Sequence, residues 1–172
     1  MAVRNSTAVS NRGMDSNCEL VITRVFGAPR ELVFEAWTDP AQIACWWGPK
    51  GFTTVSYDMD VRPGGAYCFC MRSPQGADYW KQGVYREVVA PERLVFTFAW
   101  VSADGSLGQE MLVRVTLAAE GNKTRMTFRQ GPFETVDKRD DHRRGWTSTF
   151  ERFAEYVANA FSHHLSTTEV EP

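Results

Sequence analysis

Trp146, Phe150, Phe153, Val157 and Phe161 recur at steps of four, three, four and four within residues 135–161, which is one face of an α-helix. This is the one helical segment long and apolar enough to cover a sheet. At a rise of about 1.5 Å per residue it spans roughly 40 Å. Carried back toward its start, the same face meets Arg139 and His142 where the pattern calls for apolar residues. The spacing therefore predicts a helix packed along its C-terminal two-thirds, with first turns that look into something other than solid core. A lid over a pocket fits that description. Gly145, beside Trp146, costs a helix about 1 kcal/mol relative to alanine, which implies a close approach of helix to sheet.

Upstream, the elements are short. Residues 19–26 (ELVITRVF) are rich in β-branched side chains and read as a first strand. Ala28-Pro29 breaks it, and Leu32, Val33, Ala36 and Trp37 then fall at helical spacing. Asp39 as N-cap and Pro40 at the first helical position start a second short helix, which runs to Trp46 and stops at Gly48-Pro49. From Phe52 onward the period changes to two. Val55, Tyr57, Met59 and Val61 share a face, as do Tyr67, Phe69 and Met71 in the next strand. The same holds for Leu94, Phe96, Phe98 and Trp100, for Met111, Val113, Val115 and Leu117, and for Met126 and Phe128. Turns at Pro63-Gly64-Gly65, residues 73–78, Ala90-Pro91, residues 102–105 and Gly121-Asn122 separate six such strands. Alternation with tight turns means an antiparallel sheet, wet on one face and covered on the other. The expected class is α+β: a curved seven-stranded antiparallel sheet wrapped around a long C-terminal helix, with two short helices between strands 1 and 2. Residues 18–162 form this domain, and residues 1–17 and 163–172 read as disordered tails.

Composition narrows the function classes. A formal net charge of -2 without a basic block argues against a nucleic-acid partner. The first residues lack the apolar core of a secretory signal, and no run of about 18 apolar residues offers a membrane span, so the expected location is cytoplasmic. Cys18, Cys45, Cys68 and Cys70 are wrongly spaced for a zinc site and read as reduced thiols; no metal and no cofactor are expected. The 11 Phe, 6 Trp and 5 Tyr are many for one small core. Either they pack solid, or they line an apolar cavity with tyrosine hydroxyls as its few polar anchors.

The candidate lining is therefore Tyr57, Tyr67, Phe69, Met71, Phe96, Phe98, Trp100, Met111, Met126 and Phe128 from the covered face, joined by Arg139, His142 and Trp146 from the helix. Arg139, with Arg24 and Arg62, is the candidate to present a guanidinium to an anionic ligand head. His142 is the one histidine expected inside the fold, but no G-x-S-x-G or comparable nucleophile signature accompanies it. The cluster Lys138, Asp140, Asp141, Arg143 and Arg144 reads as a solvated helix face. Trp46 and Trp47 are expected to pack against the sheet edge or share the pocket rim. Neither Gly48-Pro49-Lys50-Gly51 nor Arg62-Pro63-Gly64-Gly65 has the composition of a phosphate loop.

The segments TRVFGAPRELVFEAWTDP (residues 23–40), CWWGPKGF (45–52), DVRPGG (60–65), GVYREVVAPERLVFTF (83–98) and GWTSTFERFAEYV (145–157) span about 135 of the 172 residues. In their order and content they resemble the START-like, or SRPBCC, superfamily with the Bet v-type helix-grip fold. Within it the chain is similar to the single-domain bacterial type of the family named after the activator of the 90-kDa heat-shock protein ATPase. The resemblance implies the fold specifically and the activity only loosely, because the fold hosts carriers, cyclases and co-chaperones. The expected function is binding of a small hydrophobic or aromatic molecule between sheet and C-terminal helix, with no catalysis assigned. The alternatives are co-chaperone-like docking on a 90-kDa heat-shock chaperone, and a cyclase- or hydrolase-like enzyme using His142 or a tyrosine of the same cavity as general acid.

Overall fold

The computed structural model describes residues 18–168; the tail expected at residues 1–17 and residues 169–172 lie outside the described residues. The elements run β1 (Leu20–Phe26), α1 (Arg30–Thr38), α2 (Pro40–Trp46), β2 (Thr53–Met59), β3 (Ala66–Arg72), β4 (Asp78–Val89), β5 (Arg93–Val101), β6 (Met111–Glu120), β7 (Lys123–Gly131) and α3 (Val136–Thr168). The seven strands form one antiparallel sheet in the order β1-β7-β6-β5-β4-β3-β2. Strands adjacent in the chain are therefore neighbours, except that β1 closes onto β7 at the far edge. This is the helix-grip architecture that the alternation implied.

The two short helices form for local reasons. The Asp39 carboxylate accepts from the backbone N–H of Ala41 and Gln42 at 2.8 and 3.1 Å, and Pro40 occupies the first helical position of α2. Both helices send large side chains inward: Val33, Phe34 and Trp37 from α1, Ile43 and Trp46 from α2. Trp46 donates its indole N–H to the Ala36 carbonyl at 2.9 Å, tying the pair together. Trp37 stands at the centre of the core, with ring centroids of Trp46, Trp47, Phe96, Trp146, Phe150 and Phe153 all 4.9–6.4 Å away. Aromatic pairs in that range add attraction beyond their buried area.

On α3 the buried stripe is Trp146, Thr149, Phe150, Phe153 and Val157, facing Phe26 and Phe128 of the sheet. The helix continues through Thr168 instead of ending near residue 162 as expected from composition. Its last turns have no core to bury; the hydroxyls of Ser162, Ser166 and Thr167 bond back to carbonyls four residues earlier.

At the opposite edge the expected burial of β2 fails. Tyr57 pairs with Phe69 and so shares its face, yet Tyr57 and Val55 are each 43% exposed. β2 is the terminal strand, its register shifts between Thr54 and Ser56, and among the described residues no strand lies beyond it. The face was read correctly, but the cover does not extend that far. Between β4 and β5 the backbones come close at Gly83, where a Cβ would sit 1.9 Å from the Thr97 carbonyl oxygen. Only glycine fits there.

Candidate functional site

A cavity of about 590 Å³ lies between the first turns of α3 and the ends of β3, β4, β5 and β6. Its walls are Met71 of β3, Phe98 and Trp100 of β5, Met111 of β6, the Trp47–Gly48–Pro49 segment after α2, and Phe133 before α3. From α3 come His142, Gly145, Trp146 and Thr149, with Lys138 and Asp141 outermost. Asp78, Tyr79, Trp80 and Lys81 of β4, Val101 of β5, and Gly108 and Gln109 before β6 complete the lining.

The expected lining thus divides. Met71, Phe98, Trp100, Met111, His142 and Trp146 border the cavity. Tyr67, Phe69 and Phe96 lie deeper, where only a crevice of about 10 Å³ remains between them and Trp37. Met126 and Phe128 are fully buried, with the Phe128 ring against Trp146 and Phe150 of α3. Tyr57 is at the open sheet edge. Arg139 is outside the lining, partly buried with its guanidinium on Asp140 at 2.8 Å. Arg62 is exposed and bonded to Asp60 at 2.8 Å, and Arg24 is likewise outside the lining, so none of the three arginines brings a cation to the cavity. The tyrosine hydroxyl expected as a polar anchor is spent elsewhere: Tyr67 donates to the Thr97 carbonyl at 2.6 Å.

The cation in the cavity is Lys81. It pairs with Phe69 on one side and Trp100 on the other, so the register of β4 places it on the covered face. Only 4% of it is exposed. Its Nζ lies 4.4 Å from the centroid of Trp47, 5.4 Å from Trp100 and 5.8 Å from Phe98. Three ring faces attract an ammonium, but they replace its lost hydration only in part. Its hydrogen-bond partner is the Met71 thioether at 3.7 Å, a weak acceptor. No carboxylate pairs with it among the described residues. Burial accordingly pushes its pKa down from 10.5 to about 7, with a small opposing influence from Cys70.

Several polar groups in and behind the lining bond to one another. Trp100 donates its indole N–H to His142 Nε2 at 3.1 Å. A tryptophan can only donate, so the imidazole proton sits on Nδ1, 3.3 Å from Gln130 Oε1. The same Gln130 oxygen accepts from Trp146 Nε1 at 2.7 Å. A second proton on His142 would set two N–H groups against each other. Burial, reinforced by the neighbouring Lys81, takes its pKa down to about 4. At neutral pH the ring is uncharged and both nitrogens are engaged, which does not suit the general-acid role considered from sequence. At the mouth, Asp78 pairs with Arg72, Asp141 with Arg144 and Lys138 with Glu134. The Trp47 indole N–H is buried without an acceptor among the described residues.

The Trp47 wall is held in place from α3. One Arg152 guanidinium donates to the carbonyls of Cys45, Trp47, Gly48, Pro49 and Phe52 at 2.9–3.3 Å. Ser148 accepts from the Lys50 N–H at 2.9 Å, and the Lys50 ammonium reaches Glu151 and Glu155. Arginine suits this task because its planar fork presents several N–H groups to the carbonyls left over where α2 ends; four of the five contacts share the two N–H groups of one nitrogen. Gly145, in contrast, makes no close approach: a Cβ there would meet nothing within 4 Å. Its absent side chain leaves the cavity wider beside His142 and Trp146.

Lys81 and Gln130 were missed from sequence. Stepping back from Tyr85 by two along β4 reaches Gly83, Lys81 and Tyr79, and stepping forward from Phe128 reaches Gln130. Each is a polar residue in the apolar register, which is the signal that would have found them.

Four thiols are free, and among the described residues no group of His, Cys, Asp and Glu could hold a metal. No helix is long and apolar enough to cross a membrane. A search of curated proteins gives no match. Among solved structures, the chain is similar to an AHSA1 protein from Silicibacter pomeroyi at 26% identity and a TM-score of 0.77, covering 83% of this chain and 99% of that one. A Chromobacterium violaceum protein matches at 27% identity and a TM-score of 0.72, covering 81% and 96%. A Nitrosomonas europaea protein at 24% identity and a TM-score of 0.72, covering 85% and 97%, shares the fold. The profile of the Activator of Hsp90 ATPase homolog 1-like proteins matches residues 27–158, and the chain belongs to that family.

Proposed function

We propose that this protein binds a small hydrophobic or aromatic molecule in the cavity between the sheet and the first turns of α3. The single observation supporting this reading is the cavity itself. About 590 Å³ bordered by Trp47, Phe98, Trp100, Phe133 and Trp146 is in the size range of small-molecule sites, and its walls are mostly apolar with few polar groups. Solid packing elsewhere in the core makes this space a local feature, placed where the helix face turns polar. No covalent step is assigned.

The test is thermal unfolding of the full chain with a panel of fatty acids, sterols and polycyclic aromatics. A ligand at a hundred times its Kd stabilises the folded state by about 2.7 kcal/mol, which is a readily measured rise in Tm. Stabilisation that disappears in Gly145→Leu, where the added side chain enters the cavity, is the expected result. A flat response across the panel, together with stimulation of a 90-kDa heat-shock chaperone's ATPase by the same preparation, would instead favour docking through the outer surface.

A further inference from the structure

We infer that the ligand of this cavity carries a carboxylate, and that the Lys81 ammonium holds it inside the apolar walls; this rests on the cavity-binding reading above.

Inside the cavity, both nitrogens of His142 are engaged, by Trp100 and Gln130, and the Gln130 oxygen already serves His142 and Trp146. What stands out is one buried cation without a strong acceptor: Lys81 Nζ, with a thioether and three ring faces beside it. Nζ lies over the face of the Trp47 ring, 4.4 Å from its centroid. A lysine so deeply buried is ordinarily paired. Here the chain's own carboxylates near the mouth are committed to Arg72 and Arg144. A ligand oxyanion would supply the missing partner. One buried cation balances the single negative charge of a carboxylate better than the nearly double charge of a phosphate. The surrounding rings suit an apolar or aromatic body attached to it.

Charged and titratable groups around Lys81 come from each packed element: Cys70 on the other face of β3, Asp78 and Tyr79 on β4, and Lys138, Asp141 and His142 on α3. His142 stays neutral above about pH 5 because its pKa lies at about 4. Binding the carboxylate requires Lys81 to be protonated, and in the empty cavity it loses that proton near pH 7. Binding therefore takes up a proton above that pH.

The experiment is calorimetric titration of the full chain with naphthoate, naphthylacetate and biphenylcarboxylate, each against its own primary amide, at pH 6.0 and 9.0. At pH 6.0 the acids should bind at least about tenfold more tightly than the amides, the advantage of a charged hydrogen-bonded pair over a neutral one. Between pH 6.0 and 9.0 acid affinity should fall about a hundredfold while amide affinity stays level, given titration of Lys81 at about 7. In Lys81→Met the preference for acids should vanish with amide binding retained. Equal binding of acids and amides at pH 6.0 would overturn the inference and leave the cavity reading standing. So would an acid preference that survives in Lys81→Met, since the charge would then lie elsewhere. Failure of every acid and every amide to bind would overturn the cavity reading itself.

Discussion

Replacing Lys81 with methionine should stabilise the protein, and do so in a pH-dependent way. The lysine amine titrates at 10.5 in its ordinary setting and at about 7 in the fold. In the window between these values the unfolded chain holds more protons than the folded one, so stability rises with pH. Below pH 7 the group is protonated in both states and its burial cost is fully present. A shift of that size corresponds to about 5 kcal/mol at about 1.4 kcal/mol per unit. Attraction to the three rings, about 2 kcal/mol when desolvated, offsets part of it in a way the methionine loses. Methionine matches the lysine stem in volume and sits beside Met71, so packing changes little. Chemical denaturation at pH 6.5 should therefore find Lys81→Met more stable by about 2–5 kcal/mol. Linkage gives the wild type a gain of about 2–3 kcal/mol between pH 6.5 and 9, which the variant lacks. Burial raises the Cys68 and Cys70 thiols, which lowers stability slightly near pH 9, but both proteins share that effect and the difference between them removes it. Parallel pH profiles for the two proteins would refute the reasoning, because a lysine that keeps its solution pKa is not enclosed as described.

Other elements of the site lead to further expectations. Arg152→Ala leaves five carbonyls around the Trp47–Phe52 segment without their donor and should cost about 2–4 kcal/mol in urea unfolding, with Arg152→Lys recovering only part because it lacks the planar fork. Gly145→Ala should stabilise α3 by about 1 kcal/mol, since its Cβ meets nothing, and a rise in Tm of about 2–4 °C checks it. His142 has a folded pKa of about 4 against 6.5, so its contribution is present above pH 6.5 and lost as pH falls toward 4; His142→Gln should flatten that limb of an acid-unfolding curve.

The architecture was legible because it follows from periodicity. Steps of two along residues 53–131 and steps of three and four along α3 are properties of neighbouring residues, and one covering helix for one sheet leaves little choice of arrangement. Asp39-Pro40 marked the start of α2 for an equally local reason, a carboxylate cap beside a ring that fixes φ. The polar start of the α3 face, at His142, was likewise visible as a break in the stripe, and the cavity lies beside it. The rule that reads apolar positions as inward serves less well at a site, because it passes over the polar residue in an inward register. Lys81 and Gln130 occupy such positions.

Sequence alone determined which side of β2, β3, β5, β6 and β7 would be covered and which segment would cover it, since both are set by the alternation of side chains along a regular backbone. Tertiary structure decided how far the cover reaches and what is left unfilled. Tyr57 faces the same way as Phe69 but lies on the terminal strand, and Arg139 sits three residues from His142 yet turns to Asp140 outside the cavity. Whether two inward residues touch depends on sheet curvature, helix placement and the volume of every side chain between them, which are sums over the whole chain. The pairing of a buried ammonium with three rings contributed by α2's end and β5 is of that second kind, and it was invisible until those elements were brought together.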